Sequence, residues 1–105
     1  MNALVLGGDM DDAVYINNPK TFGQWIIMHL NDLELTQKEF AKQIAVSQQT
    51  VCTWCLGRRK PSVDNFFWIC RVIAVLKGKD LDEQEIKQIE VDIVWQARKI
   101  FIGLK

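Results

Sequence analysis

Two helix-capping signals lie eleven residues apart and leave room for only a very short turn between two helices. Thr36 is followed three residues later by Glu39, which is the spacing of a reciprocal capping box, so we expect a helix to begin directly after Thr36. Ser47 repeats the capping signal three residues after Ile44, the last apolar residue of that first helix. The first helix must therefore end and the second begin within residues 45–47, which is the spacing of a helix-turn-helix.

The expected second helix has one apolar side and one polar side. Val51 and Trp54 lie three residues apart and point in the same direction. The opposite and flanking positions carry uncharged, hydrogen-bonding side chains: Gln48, Gln49, Cys52 and Thr53. Gly57 is a typical helix stop, and a basic loop, Arg58-Arg59-Lys60, follows it. Pro61-Ser62 then predicts the start of another helix.

Together these residues resemble the XRE, or Cro/C1 phage-repressor, family of helix-turn-helix DNA-binding proteins. The resemblance covers roughly residues 21–77 and is carried by Leu35-Thr36-Gln37, Ala41, Val46-Ser47, Val51, Trp54, Gly57, and the basic residues before Pro61-Ser62. It implies an all-α, compact five-helix bundle of the lambda-repressor-like helix-turn-helix type that represses transcription. One departure is the turn position that usually holds glycine, which is Ala45 here, because a residue with a Cβ tolerates positive φ poorly.

The distribution of charge along the chain supports a nucleic-acid partner although the net charge is zero. Residues 1–34 carry one lysine against five acids, a net charge of −4. Residues 35–61 carry five basic residues against one acid, a net charge of +4, and residues 62–105 carry seven of each. Positive charge is therefore concentrated in the two short helices and the loop after them, as contact with phosphates requires.

The start of the second helix is the expected base-reading element. Gln48 and Gln49 would enter the major groove first, and a glutamine amide can bond both N6 and N7 of adenine. The full set of expected base contacts is Gln48, Gln49, Cys52 and Thr53. Phosphate contacts are expected from Gln37, Lys38, Ser47, Thr50, Arg58, Arg59 and Lys60. The alternatives are a solvated basic loop and, for the helix pair, a purely structural role in a helical bundle.

Apolar periodicity and capping residues predict three further helices. Their expected bounds are Thr21 onward, Ser62 to about Lys77, and Leu81 to Ile102 with Asp80 or Asp82 as its cap. We expect three parts of the chain: an N-terminal extension in residues 1–19, either a β-hairpin or a flexible arm; the helix-turn-helix DNA-binding domain in residues 20–78; and a C-terminal packing and dimerisation helix in residues 79–105.

The helix after Ser62 is apolar nearly all round, so it needs more than one neighbour. A stripe of the last helix can cover its free side: Ile86, Ile89, Ile93, Ala97 and Ile100. This leaves an outward patch, formed by Val91, Trp95 and Ile102, and such patches usually mark interfaces. We expect a homodimer through this patch, with two recognition helices about 34 Å apart on a pseudo-palindromic operator. The alternative is that residues 3–6 or 15–16 fold over the patch within one chain.

Metal and catalytic functions find little support in the sequence. Cys52-x-x-Cys55 lies inside a predicted helix, and only Cys70 and His29 could complete a zinc site, so we expect no metal. His29 is expected to be a packed or half-buried side chain rather than a ligand or a catalytic base. The sequence lacks a Gly-rich phosphate loop, a Ser/His/Asp set and paired carboxylates in an apolar context, so we expect neither an enzyme nor a cofactor.

The sequence also indicates a cytoplasmic, nucleoid-associated protein without membrane contact. No basic segment precedes the apolar run Ala3 to Leu6, and the run from Phe66 to Leu76 is interrupted by Arg71 and too short to span a bilayer. Three cysteines, an odd number, fit reduced thiols. A second hypothesis is an antitoxin-like or other interaction module, in which the same fold binds a protein partner such as a toxin through its N-terminal segment or last helix.

Overall fold

The computed structural model describes residues 19–102, and this part of the chain is all-α, as the sequence predicts. It contains five helices and no strand: α1 (Phe22–Leu33), α2 (Gln37–Ile44), α3 (Gln48–Cys55), α4 (Val63–Lys77) and α5 (Glu83–Ile102). The predicted N-terminal extension, residues 1–19, lies outside the described residues apart from Pro19.

Each helix begins at a short polar side chain that accepts a hydrogen bond from a backbone N–H of the first turn: Thr21, Thr36, Ser47, Ser62 and Asp82. The box at α2 is reciprocal, because Glu39 N donates to Thr36 Oγ1 at 3.0 Å and Thr36 N donates to Glu39 Oε1 at 2.9 Å. The start of α5 is built in the same way from Asp82 and Glu85, so Asp82, rather than Asp80, is the cap. The caps at Thr36, Ser47, Ser62 and Asp82 confirm predicted capping residues, and Thr21 confirms the predicted start of the first helix.

The first three helices end in the same way, with one residue in the left-handed conformation. These residues are Glu34, Ala45 and Gly57, with φ values of 57°, 63° and 76°. In each case the next N–H reaches back five residues to a carbonyl, as Val46 N does to Ala41 O at 3.0 Å. This is the Schellman arrangement, which satisfies helix carbonyls with backbone donors alone. Ala45 therefore adopts a positive φ in this turn although it carries a Cβ.

Replacing Ala45 with glycine should raise the free energy of unfolding by roughly 0.5 kcal/mol. The left-handed conformation costs a residue with a Cβ roughly 1–2 kcal/mol, and glycine offsets part of that gain through its freer unfolded chain. Urea unfolding followed by circular dichroism measures the change. Gln43→Gly, at an exposed position inside α2, should instead lower the free energy of unfolding by about 1 kcal/mol. Equal decreases in both variants would contradict the strain at Ala45.

The packing divides the chain into two units, residues 1–59 and residues 60–105. In the first unit α2 and α1 both pack on α3. Its buried apolar side chains are Phe22, Trp25, Ile26, Leu30, Phe40, Ala41, Ile44, Val51 and Trp54. His29 is also buried, and its ring lies edge-on to Trp25 with the centroids 4.6 Å apart, so it is packed, the first of the two predicted alternatives.

The second unit consists of α4 and α5 packed on each other. Ile93 and Ala97 of the predicted stripe are buried, while Ile86, Ile89 and Ile100 are half-buried. Phe101, which is not part of that stripe, is buried and stacks on Phe66 with the ring centroids 4.3 Å apart. The packing thus joins α4 to α5, as the predicted stripe of the last helix requires.

Arg71 ties the two helices of the second unit together through ion pairs. Its guanidinium lies 3.0 Å from Glu83 Oε2 and 3.2 Å from Glu90 Oε1, so one α4 cation joins two α5 carboxylates. Hydrogen bonds to Glu83 and then to Glu90 raise the pKa of Arg71 above its usual value. None of the five helices combines the length and hydropathy that a membrane span needs.

Candidate nucleic-acid interface

The helix α3 is fixed in the first unit by its cap and by its apolar side. Ser47 Oγ accepts from Thr50 N at 3.1 Å, which sets the first turn. Val51 and Trp54 are buried, as their spacing predicts. The back of α3 is therefore committed to the core, and its remaining positions are turned away from it.

Gln48 and Gln49 occupy the exposed start of α3. Neither side-chain amide has a hydrogen-bond partner within residues 19–102, so each keeps its donors and its acceptor for an outside group. An amide in this state can form the paired donor and acceptor contact that the adenine edge offers in the major groove. Two such amides, adjacent on the first turn of α3, form the candidate base-reading edge.

Cys52 and Thr53 lie one turn further along α3 and are half-buried. The Thr53 hydroxyl donates to Gln49 O at 2.8 Å, so its hydrogen is used within the helix. Thr53 can therefore only accept a hydrogen bond from a base, or contact one through its methyl group. Of the four predicted base-reading residues, Thr53 thus has the smallest range of possible contacts.

The predicted phosphate-binding residues of the helix starts differ in what they can donate. Ser47 Oγ and Thr50 Oγ1 lie 2.8 Å apart and share one hydrogen, which leaves a single hydroxyl hydrogen for an outside oxygen. Lys38 is exposed on the first turn of α2, and Gln37 before it is half-buried. The hydroxyl pair at Ser47 and the exposed ammonium of Lys38 can each donate to a phosphate.

The three basic residues of the loop differ in their hydrogen bonding. Arg58 and Arg59 are exposed, and no side-chain partner holds either guanidinium in the described part of the chain. Lys60 belongs to the second unit, where its Nζ donates to Phe101 O at 2.6 Å and lies 5.4 Å from the centroid of the Phe101 ring. Lys60 thus caps a carbonyl at the end of α5, and the free cations of this loop are Arg58 and Arg59.

Two thiols, Cys55 in the first unit and Cys70 in the second, have raised pKa values. Burial, followed by the neighbouring Cys52, raises the pKa of the Cys55 thiol to about 12, and burial, followed by Glu90, raises the pKa of the Cys70 thiol to about 12. A thiolate is the form that binds metals and attacks disulfides. Within residues 19–102 no group of three or more His, Cys, Asp or Glu side chains is placed to hold a metal ion.

Gly23 is a positioning residue that the sequence pattern did not reveal. A Cβ at Gly23 would lie 2.5 Å from Cys55 O and 2.6 Å from Trp54 O, distances that real Cβ atoms do not reach. The absence of a side chain lets α1 approach the backbone at the end of α3. The available signal was a glycine inside an otherwise helical segment, which often has a packing reason.

Comparison with other proteins adds no relative to this description. No protein-family model, no curated protein and no solved structure matches this chain.

Proposed function

We propose that this chain is a sequence-specific double-stranded DNA-binding regulator of transcription, by default a repressor. It reads the major groove with α3 and binds a pseudo-palindromic operator as a homodimer. The fold would then be of the lambda-repressor-like helix-turn-helix type, with α2 and α3 as the DNA-binding pair and residues 1–19 as an extension. The setting in which such a protein works is the nucleoid.

The observation that carries this proposal is the exposed pair of unpartnered amides at the start of α3. Gln48 and Gln49 lie on a helix that is held in place by the Ser47 cap and by the buried side chains of Val51 and Trp54. The electrostatics agree, because Lys38, Arg58 and Arg59 are exposed cations in the same unit. Neutral amides suit base edges, and the cations around them suit phosphates.

The proposal is tested by selecting bound sites from random duplex and then measuring dissociation constants on the selected site. Gln48→Ala and Gln49→Ala should each weaken binding by about 1–3 kcal/mol, which is roughly 5-fold to 150-fold, and relax the preference at one base position. The reason is that each substitution removes a donor and acceptor pair without touching the core.

Gln96→Ala is the matched control, because Gln96 is an exposed glutamine on α5 in the other unit. It should bind the selected duplex like the wild type. If both α3 variants bind selected and scrambled duplex as the wild type does, α3 does not read bases. If selection enriches no sequence at all, the chain is not a sequence-specific DNA-binding protein.

A second candidate function is a protein-interaction module, such as an antitoxin-like protein. It is favoured by one observation, the exposed apolar side chains of α5. Co-purification of a second protein together with failure of the duplex selection would favour this function over the first.

A further inference from the structure

The second unit exposes a row of residues along α5 on the side away from its buried positions. Val91, Trp95 and Ile102 are 56%, 66% and 55% exposed. They belong to a series at positions 84, 88, 91, 95, 98 and 102, whose steps alternate between four and three residues. That period of 3.5 residues is the one by which a helix keeps a single face against a parallel or antiparallel partner helix.

A groove lies beside this row, between α4 and α5. Its volume is about 500 Å³, and its apolar lining comes from Phe67, Val91, Val94 and Trp95. Arg71 and its two glutamate partners form the polar end of the same groove. Phe67 of α4 is half exposed there, so the surface involves both helices of the unit.

Trp95 lines one side of the groove and also projects from the surface as an aromatic ring. One face of its ring is covered by Arg98, whose Cζ lies 3.8 Å from the ring centroid, and most of the rest of the side chain is open. Aromatic side chains contribute a large contact area at low entropic cost and are enriched at interfaces. The same patch therefore offers a projecting ring and an apolar groove able to receive one.

We infer that this surface joins two copies of the chain, with their α5 helices antiparallel across a two-fold axis near Val91 and Trp95. A two-fold interface uses one patch twice, so the patch must be complementary to itself. In the antiparallel arrangement Val91 of each copy faces Trp95 of the other, and each Trp95 covers the groove of the opposite copy. The ends of the row meet in the same way, Gln84 against Ile102.

The charges of α5 select the antiparallel direction. Residues 83–92 carry four acids and one lysine, and because Glu83 and Glu90 are paired with Arg71, Glu85 and Asp92 against Lys87 leave a net charge of −1; residues 93–102 carry two basic residues, a net charge of +2. An antiparallel pair places each acidic half against the basic half of the other copy. A parallel pair would place like charges and like helix-dipole ends together. This self-complementarity favours a second copy over an unrelated protein.

The first test is sedimentation of the full chain without DNA at micromolar concentration. The wild type should be a dimer, and Trp95→Glu should raise the dimer dissociation constant about 30-fold or more, because it buries a charge at the centre of the interface. Gln96→Glu, a charge placed one residue away and off the row, should remain a dimer. A monomeric wild type, or a Trp95→Glu variant that stays dimeric, would overturn the inference.

The second test fixes the direction by disulfide trapping in a Cys52→Ser background, in which Cys55 and Cys70 remain protonated. Gln84→Cys and Ile102→Cys proteins are oxidised separately and as a mixture. Antiparallel helices predict a disulfide between the two variants in the mixture and little from either protein alone. Parallel helices would cross-link each variant with itself, and that result would exclude the proposed geometry.

The inference deepens the proposed function, since it supplies the dimer that a pseudo-palindromic operator calls for, but its tests do not depend on DNA. Gln48→Ala should sediment as the wild type does even if it no longer recognises its site. A chain that dimerises as described and selects no duplex would retain this interface and lose the regulatory function. A chain that selects duplex as a monomer would retain the DNA-binding function and lose this interface.

Discussion

Gly23→Ala should lower the free energy of unfolding by about 3 kcal/mol and the thermal midpoint by more than about 10 °C. Alanine inside a helix normally stabilises it by about 1 kcal/mol relative to glycine, so the sign of the change is itself diagnostic. The added methyl group would meet the carbonyl oxygens of Trp54 and Cys55, which are backbone atoms and cannot rotate away. To relieve this overlap, either α1 or the end of α3 must shift.

Gly57→Ala provides the control for this experiment. Gly57 has a φ of 76° and open space where a Cβ would lie, so alanine there should cost only about 1 kcal/mol of conformational strain. Thermal unfolding of the two variants beside the wild type separates steric overlap from backbone conformation. Equal decreases in the thermal midpoint would show that the approach of α1 to α3 is not the cause.

Neutralising both arginines of the loop should reduce affinity for duplex DNA about 100-fold near 50 mM salt. Each cation that binds a phosphate contributes about 0.9 to the slope of log K against log salt, which amounts to about tenfold in affinity at that concentration. Arg58→Gln and Arg59→Gln should therefore each lower the slope by about 1, and the double variant by about 2. The decrease in affinity should be the same on selected and scrambled duplex, because phosphates carry no sequence information.

Lys60→Gln is the matched control, because Lys60 adjoins the two arginines but donates to Phe101 O. Its slope in a salt titration should equal that of the wild type, while its thermal midpoint should fall because the carbonyl at the end of α5 no longer has its ammonium donor. If Lys60→Gln lowers the slope and the arginine variants do not, Lys60 rather than Arg58 and Arg59 binds the phosphates. The arginines would then be part of a solvated loop.

The helix starts were predictable because capping is local chemistry. Thr36 and Glu39 are three residues apart, and the side chain of each accepts a hydrogen bond from the backbone N–H of the other. Ser47 Oγ likewise accepts from Thr50 N, three residues later. The apolar side of α3 was predictable for the same reason, since Val51 and Trp54 follow from the helical period alone. These two local signals determine which residues of α3 face outward.

Contacts between distant positions were not predictable from spacing. Nothing near Lys60 indicates that its ammonium meets a carbonyl 41 residues later, and the basic run reads as three equivalent cations. The role of Gly23 depends on carbonyls more than 30 residues away, and the Arg71 ion pairs depend on the way α4 packs against α5. Each of these contacts depends on the tertiary packing, which residue spacing in a single sequence does not specify.

The stabilising contacts of α3 lie at different positions from its outward side chains. Its fold depends on Ser47, Val51 and Trp54, together with the backbone that Gly23 approaches, whereas the side chains of Gln48 and Gln49 are exposed and form no hydrogen bond within residues 19–102. Substitution at positions 48 and 49 should therefore leave foldability almost unchanged. A library randomised there would sample new recognition preferences on an unchanged scaffold, so one helix can be retargeted without first being stabilised.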